Sequence, residues 1–246
     1  MSRSRDAPVP RRPPAPIAPP LPRLPFADRA AAGEALAAHL LTLPVAREAP
    51  LVLALPRGGV PVALVVARAL HAPLDLLLVR KIGAPGQPEL AVAALVDGTP
   101  PEVVVDTAMC ERVGADDEYL AAKARAALEE IRRRRDLYLG GRAPVTVSGR
   151  SVIVVDDGVA TGTTMRAALQ GLRRQHPRRL VVAVPVASRE AAARLRALAD
   201  EWVCLAEPVP FEAVGSHYRQ FEQVGDDDVM QALAAAAAAL DEAATP

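Results

Sequence analysis

Residues 152–164 read VIVVDDGVATGTT: four β-branched residues, Val152 to Val155, run into Asp156 and Asp157, and a Gly/Thr stretch with hardly a bulky side chain follows. Adjacent carboxylates repel each other and cost free energy unless something compensates them. Gly158, Gly162 and the short side chains of Ala160, Thr161, Thr163 and Thr164 let backbone N–H groups turn inward. A helix starting there adds its unpaired N-terminal donors and its dipole. Such a turn is an anion cradle suited to a phosphate monoester. Carboxylates repel a phosphate but accept hydrogen bonds well from vicinal hydroxyls. The ligand these residues fit therefore carries a phosphate at one end and a diol beside it, as ribose 5-phosphate does. For TGTT alone, an ordinary helix cap explains the composition equally well, since Thr and Gly are common at caps.

Two further segments carry candidate chemistry. In 'PRGG' (56–59), Arg57 precedes Gly58 and Gly59 and then a helix start, an arrangement suited to a second anion; plain turn glycines are the alternative. 'RKIGAPGQPE' (80–89) opens with Arg80 and Lys81 and is too rich in Gly and Pro for a helix and too polar for a core. It reads as a mobile cationic flap that closes over a polyphosphate, with an exposed hairpin loop as the alternative. No GxxxxGK[ST] loop occurs and no GxGxxG follows a strand, which leaves a nucleoside triphosphatase or a dinucleotide oxidoreductase without support. A sugar-phosphate hydrolase with Asp156 as nucleophile would want a DxD arrangement with a downstream Lys and acidic pair, and these are not so placed.

These segments need strands and helices to position them, and between about Phe26 and Val229 the chain supplies them in alternation. Helical spacing in 'ADRAAAGEALAAHLLTL' brings Leu36, Leu40, Leu41 and Leu43 near one side. 'LVLAL' (51–55) is a strand, followed by a Gly turn and a helix with Pro61 in its first turn. 'LDLLLV' (74–79) is a second strand, and 'ELAVAALV' (89–96) and 'EVVVD' (102–106) are strands joined by the turn 'DGTPP'. A charged helix over roughly 116–138 carries Arg132, Arg133, Arg134 and Arg135, a run that reads as a solvated face. Strand 152–155, helix 162–175, strand 180–186, helix 188–199 and the strand 'EWVCLA' complete the series. Continuous apolar strands are buried on both faces and helices make their crossovers. The fold class is α/β, a mostly parallel sheet flanked by helices with a small irregular hood near the C-terminus. In such sheets ligands bind beyond the carboxyl ends of the strands, where the three segments converge on one site.

Composition narrows the classes further. The 246 residues are 51% hydrophobic but only 3% aromatic, so Ala, Val and Leu must build the core. Basic and acidic residues balance at 29 each, which argues against a nucleic-acid partner. Cys110 and Cys204 form no metal-type pair, and a reducing cytoplasm is the expected compartment. No apolar run reaches the roughly 18 residues of a membrane span. Residues 1–25 read as a disordered or polyproline-II leader rich in Pro and Arg, residues 26–230 as the folded domain, and 231–246 as an alanine-rich tail without chemistry.

VIVVDDGVATGTT resembles the phosphoribosyl pyrophosphate (PRPP) signature of the type I phosphoribosyltransferases, in the style of the adenine-type enzymes. 'LPRGG' is similar to that family's pyrophosphate loop and 'VRKIGAPGQPE' to its flexible catalytic loop. 'PFEAVGSHYRQFEQV' resembles a segment of a bacterial branch of predicted phosphoribosyltransferases. The resemblance covers about residues 26–230. It implies transfer of ribose 5-phosphate from PRPP to a nitrogenous acceptor with release of pyrophosphate. Asp156 and Asp157 would hold the ribose hydroxyls and, through water, help place a Mg²⁺ carried by PRPP. Ala160, Thr161, Gly162, Thr163 and Thr164 would cradle the 5-phosphate, and Arg57, Gly58, Gly59, Arg80 and Lys81 would meet the pyrophosphate. Hypoxanthine/guanine-type enzymes carry an acidic residue at the position of Ala160, so the resemblance speaks against a 6-oxopurine acceptor; Glu89 is then the candidate general acid or base. The acceptor would lie under a hood after Trp202, where Phe211, Tyr218 and Phe221 could stack on a ring or plug the core, and Glu207 and His217 could read a base edge. Family analogy also implies a homodimer. Some relatives in this fold are regulators, so a non-catalytic PRPP- or nucleotide-binding protein is the alternative.

Overall fold

The computed structural model describes residues 22–244, so the expected leader lies outside the described residues except for 22–25. Five parallel strands form the main sheet: β1 (Leu51–Ala54), β2 (Leu74–Leu76), β6 (Ser151–Val155), β7 (Arg179–Val186) and β8 (Glu201–Ala206), in the order β2-β1-β6-β7-β8. β1 and β6 are buried along their whole length, because helices cover both faces. Alternation along each strand separates two cores. Val52, Ala54, Ile153, Val155, Val181 and Ala183 pack with α1 (Arg29–Leu40), α2 (Gly59–Ala69) and α7 (Asp226–Ala244). Leu51, Leu53, Val152, Val154, Leu180 and Val182 pack with α5 (Thr163–Arg174) and α6 (Arg189–Leu195). In α1, Leu36 and Leu40 are buried as their spacing requires, whereas Leu41 is exposed.

The segment 74–105 departs from its sequence-based expectation. The predicted strand 74–79 breaks after Leu76, and a second sheet begins at β3 (Val79–Ala84), pairs antiparallel with β4 (Gln87–Val96) and ends with β5 (Glu102–Val105). Residues 80–89, read as a flap loop, are therefore a hairpin whose tip, Pro85 to Glu89, is exposed. Its breaker residues are accommodated by register shifts around Gly83, where a Cβ would lie 2.2 Å from the Pro88 carbonyl oxygen. Gly86 turns the chain with φ +71°.

Two helices also differ from expectation. α3 (Thr107–Val113) leads into α4 (Asp117–Leu139), and its arginine run is not uniformly solvated: Arg135 is buried. Its Nε donates to Asp97 Oδ2 at 2.9 Å and its Nη1 lies 3.6 Å from Asp75 Oδ1. Burial pushes the Asp97 carboxyl up against the opposing pull of Arg135. This cluster ties α4 to β2 and to the end of β4, where the two sheets meet. The alanine-rich segment expected as a tail is, through Ala244, part of α7; Ala232, Leu233 and Ala236 are buried in the core shared with α2. Alanine is a strong helix former, and its small side chain lets two helices approach closely. Among the described residues, no helix is long and apolar enough to cross a membrane.

Candidate functional site

β6 delivers Asp156 and Asp157 at its carboxyl end. Asp156 is half-buried, and its Oδ1 accepts the Asp157 N–H at 2.9 Å. Asp157 is buried, and its Oδ2 accepts Nε of Arg29 at 2.9 Å, with Nη2 of the same guanidinium also 2.9 Å away. Arg29 stacks 3.8 Å from the centroid of the Phe221 ring and donates through Nη1 to the Glu222 carbonyl at 2.8 Å. The Tyr218 hydroxyl donates to the Asp157 carbonyl at 2.5 Å. Burial pushes the Asp156 carboxyl well above the usual carboxylate range, and the neighbouring Asp157 charge adds to the shift. Burial likewise raises Asp157, against the pull of Arg29.

The loop after β1 lies directly against this pair. Its Pro56–Arg57 peptide is cis. A Cβ on Gly58 would fall 2.1 Å from Asp157 Oδ2, and one on Gly59 would fall 2.8 Å from both the Val155 carbonyl oxygen and Asp156 Cα. Both glycines thus serve close approach; Gly58 has an ordinary helical φ of −57°. Gly58→Ala should accordingly displace the Asp157 carboxylate from Arg29 and lower stability by about 1–3 kcal/mol, the usual range for forced overpacking, read as a fall in Tm against wild type. Arg57 itself is half-exposed and lies 3.5 Å from Asp226 Oδ1 at the start of α7.

The third loop closes the site on its other side. Gly162 adopts φ +75°, a left-handed conformation that suits glycine, and α5 begins at the next residue. The first N–H groups of α5 have no partner within the helix, so they and its dipole face whatever the loop encloses. Thr161 Oγ1 and Thr163 Oγ1 lie 3.4 Å apart at this opening. Successive side chains of β3 face opposite ways. Arg80 lines a recess with Leu55, Pro56, Thr164 and Arg134, whereas Lys81 lines a cleft of about 230 Å³ with Thr163, Arg166, Asp106 and Gln170. Each cation thus meets the cradle helix, and the recess also reaches the first loop. Glu89 is exposed near the hairpin tip and lines neither space.

The hood residues divide between packing and exposure. Tyr218 is buried 5.6 Å from Phe26 and 5.1 Å from Phe221, centroid to centroid. Phe211 lies 4.9 Å from the ring of His217, which is buried and whose imidazole pKa burial lowers. Glu207 pairs with Arg196. The sequence reading had no role for Arg29, Arg166 or Asp226. For Arg29 a signal existed: a cation in the first turn of a helix opposes the helix dipole, which points to a tertiary partner.

A family model described as "Phosphoribosyl transferase domain" matches residues 27–219. A Mycobacterium tuberculosis protein named "Putative phosphoribosyl transferase Rv0571c" is 43% identical over 227 residues, covering 90% of this chain and 50% of the relative. The chain thus spans about half the length of the curated relatives it matches. The solved structure of TT1426 from Thermus thermophilus is 48% identical, with a TM-score of 0.75 over 85% of this chain and 97% of that one. A domain match that takes in the acidic pair, the cradle, the close-packed glycines and the hairpin leaves one conclusion about ancestry: the chain belongs to the phosphoribosyl transferase domain family.

Proposed function

We propose that the protein transfers the ribose 5-phosphate group of PRPP to a nitrogenous acceptor, a nucleobase in the simplest case, with release of pyrophosphate and dependence on Mg²⁺. One observation carries this reading: the glycine loop after β1 touches the aspartate pair, while Arg80 and Lys81 flank the helix that opens the phosphate cradle. A diol, a phosphoester and a pyrophosphate joined in one molecule match those three neighbours. Asp156 accepts from the ribose hydroxyls, and Asp157, steadied by Arg29, supports it. Residues 160–164 hold the 5-phosphate. Arg57, Gly58, Arg80 and Lys81 meet the pyrophosphate, on which negative charge grows as its bond to the anomeric carbon breaks, so their attraction strengthens toward the transition state.

Among the described residues no three His, Cys, Asp or Glu side chains gather into a metal cage. Two adjacent carboxylates, one tied to Arg29, fit a Mg²⁺ that arrives on the substrate, because this ion keeps water and pairs one or two carboxylates with substrate phosphates. Bound there, it would supply positive charge to the leaving group, with Asp156 and Asp157 reaching it through water. The proposal extends to a cytoplasmic homodimer on family grounds. The balance of 29 basic and 29 acidic residues supports the absence of a nucleic-acid partner.

The test is pyrophosphate release from PRPP and Mg²⁺ across a panel of purine, pyrimidine and other nitrogen bases. Release with one class of base is expected. Lys81→Met should slow it about tenfold, a modest loss because an exposed cation is partly screened. PRPP binding without turnover on any base would instead support the regulator, and no PRPP binding at all would end the assignment.

A further inference from the structure

Three consecutive carbonyls of the phosphate loop turn toward a single neighbour. That of Val159 accepts the Ser188 backbone N–H at 2.9 Å, that of Ala160 accepts the Ser188 hydroxyl at 2.6 Å, and that of Thr161 accepts Nη2 of Arg194 at 3.2 Å. The donors all come from α6 and its N-cap residue. The next loop residue leans on the same helix: a Cβ at Gly162 would lie 2.9 Å from Leu195 Cδ1 and 3.3 Å from Ala191 Cβ. α6 is therefore the back wall of the cradle.

The geometry of the peptide unit gives this wall a consequence. In a planar trans peptide, the N–H of each residue points opposite to the preceding carbonyl. Fixing the carbonyls of Val159, Ala160 and Thr161 against α6 turns the N–H groups of Ala160, Thr161 and Gly162 to the other side, where the cradle opens. A loop this poor in bulky side chains has little else to fix the direction of its peptides. Each flipped peptide would replace an inward donor by an inward carbonyl, whose negative end repels an anion. We infer that Ser188 and Arg194 are positioning residues for phosphate binding, acting through the carbonyls of Ala160 and Thr161. The inference rests on the reading of residues 160–164 as the phosphate cradle.

Ser188 has a second duty that the test must set apart, since its Oγ also accepts the Ala191 N–H as the N-cap of α6. Glycine caps a helix nearly as well as serine, so Ser188→Gly removes the hydroxyl that reaches Ala160 while largely sparing the helix. Arg194 is exposed, so Arg194→Met puts no packing at risk. The experiment is calorimetric titration of the full chain with ribose 5-phosphate, alongside thermal melts. Ser188→Gly should bind about fivefold more weakly, the worth of one hydrogen bond, at nearly unchanged Tm, and Ser188→Thr, which keeps the hydroxyl, should restore binding. Arg194→Met should show a similar deficit that persists in about 1 M salt, where a Debye length of about 3 Å screens charge effects from beyond contact range. Wild-type binding with equal affinity in Ser188→Gly overturns the role of Ser188, as does a loss of affinity that only follows a lowered Tm. A deficit in Arg194→Met that vanishes in salt overturns the role of Arg194. If the wild type fails to bind ribose 5-phosphate, the cradle reading itself falls, which is a separate outcome.

Discussion

Asp156→Asn should bind PRPP about 100-fold more weakly than wild type and yet melt at a higher temperature. The loss follows from the removal of a charged acceptor, whose hydrogen bonds to two hydroxyls are each stronger than neutral ones by a factor of about two. The gain follows from the repulsion and burial that raise the Asp156 carboxyl in the free protein. A carboxyl whose folded pKa lies above its unfolded value binds more protons in the native state. Stability then falls as pH rises from the ordinary carboxylate range through the raised value. Asparagine keeps an oxygen for the Asp157 N–H and carries no charge, so its advantage should grow as pH rises through the raised value and vanish below about pH 4, where the unfolded-state carboxyl is also protonated. Titration with PRPP and Mg²⁺, together with melts across pH, reads both halves. Wild-type affinity in the variant would remove Asp156 from the site, and a melt that matches wild type at every pH would contradict the strained pair.

Arg135→Met should lower stability by about 3–5 kcal/mol, the cost of stranding a buried charge without its partner. For a chain of this size that corresponds to a fall in Tm of about 10 °C. The charge left behind is Asp97, with Asp75 close to it at the junction of the two sheets. Replacing Arg135 and Asp97 together by Met and Asn should recover a good part of the loss, because the stranded charge goes with the arginine. Equal melts for wild type and Arg135→Met would show that water reaches the two carboxylates. The junction matters for the proposed chemistry because it anchors β4, and through β4 the strand that carries Arg80 and Lys81.

The parallel sheet was legible because β1, β6 after Ser151 and β7 after Arg179 are uninterrupted runs of apolar residues, a pattern that burial on two faces demands. The aspartate pair at a strand end and the glycine turn into a helix were legible because they are local: carboxylates, glycines and a helix start within 13 residues. The hairpin was legible only as the alternative to a flap, since Gly83, Pro85, Gly86 and Pro88 each read as a breaker and only the register with β4 shows how Gly83 uses its missing side chain. Arg135 was hidden inside four arginines that composition treats alike. The helical period does separate them, for Ile131, Arg135 and Tyr138 fall on one stripe and all three are buried. Arg29 showed locally only its conflict with the helix dipole, and its carboxylate partner, 128 residues away, lay beyond any local pattern. α7 shows a further limit: a run of alanines specifies a helix without saying which side of it meets a neighbour.

Arg29 and Tyr218 grip Asp157 from opposite ends of the chain, and Glu222 in turn holds Arg29. A polypeptide leaving the ribosome therefore has Arg29 and the acidic pair well before it has Tyr218, Phe221 and Glu222, which steady them. Until residue 222 emerges, Arg29 lacks the groups that hold it against Asp157 at the tip of β6. The groups around the acidic pair are thus completed only after every strand of the parallel sheet, the last of which ends at Ala206, has been made.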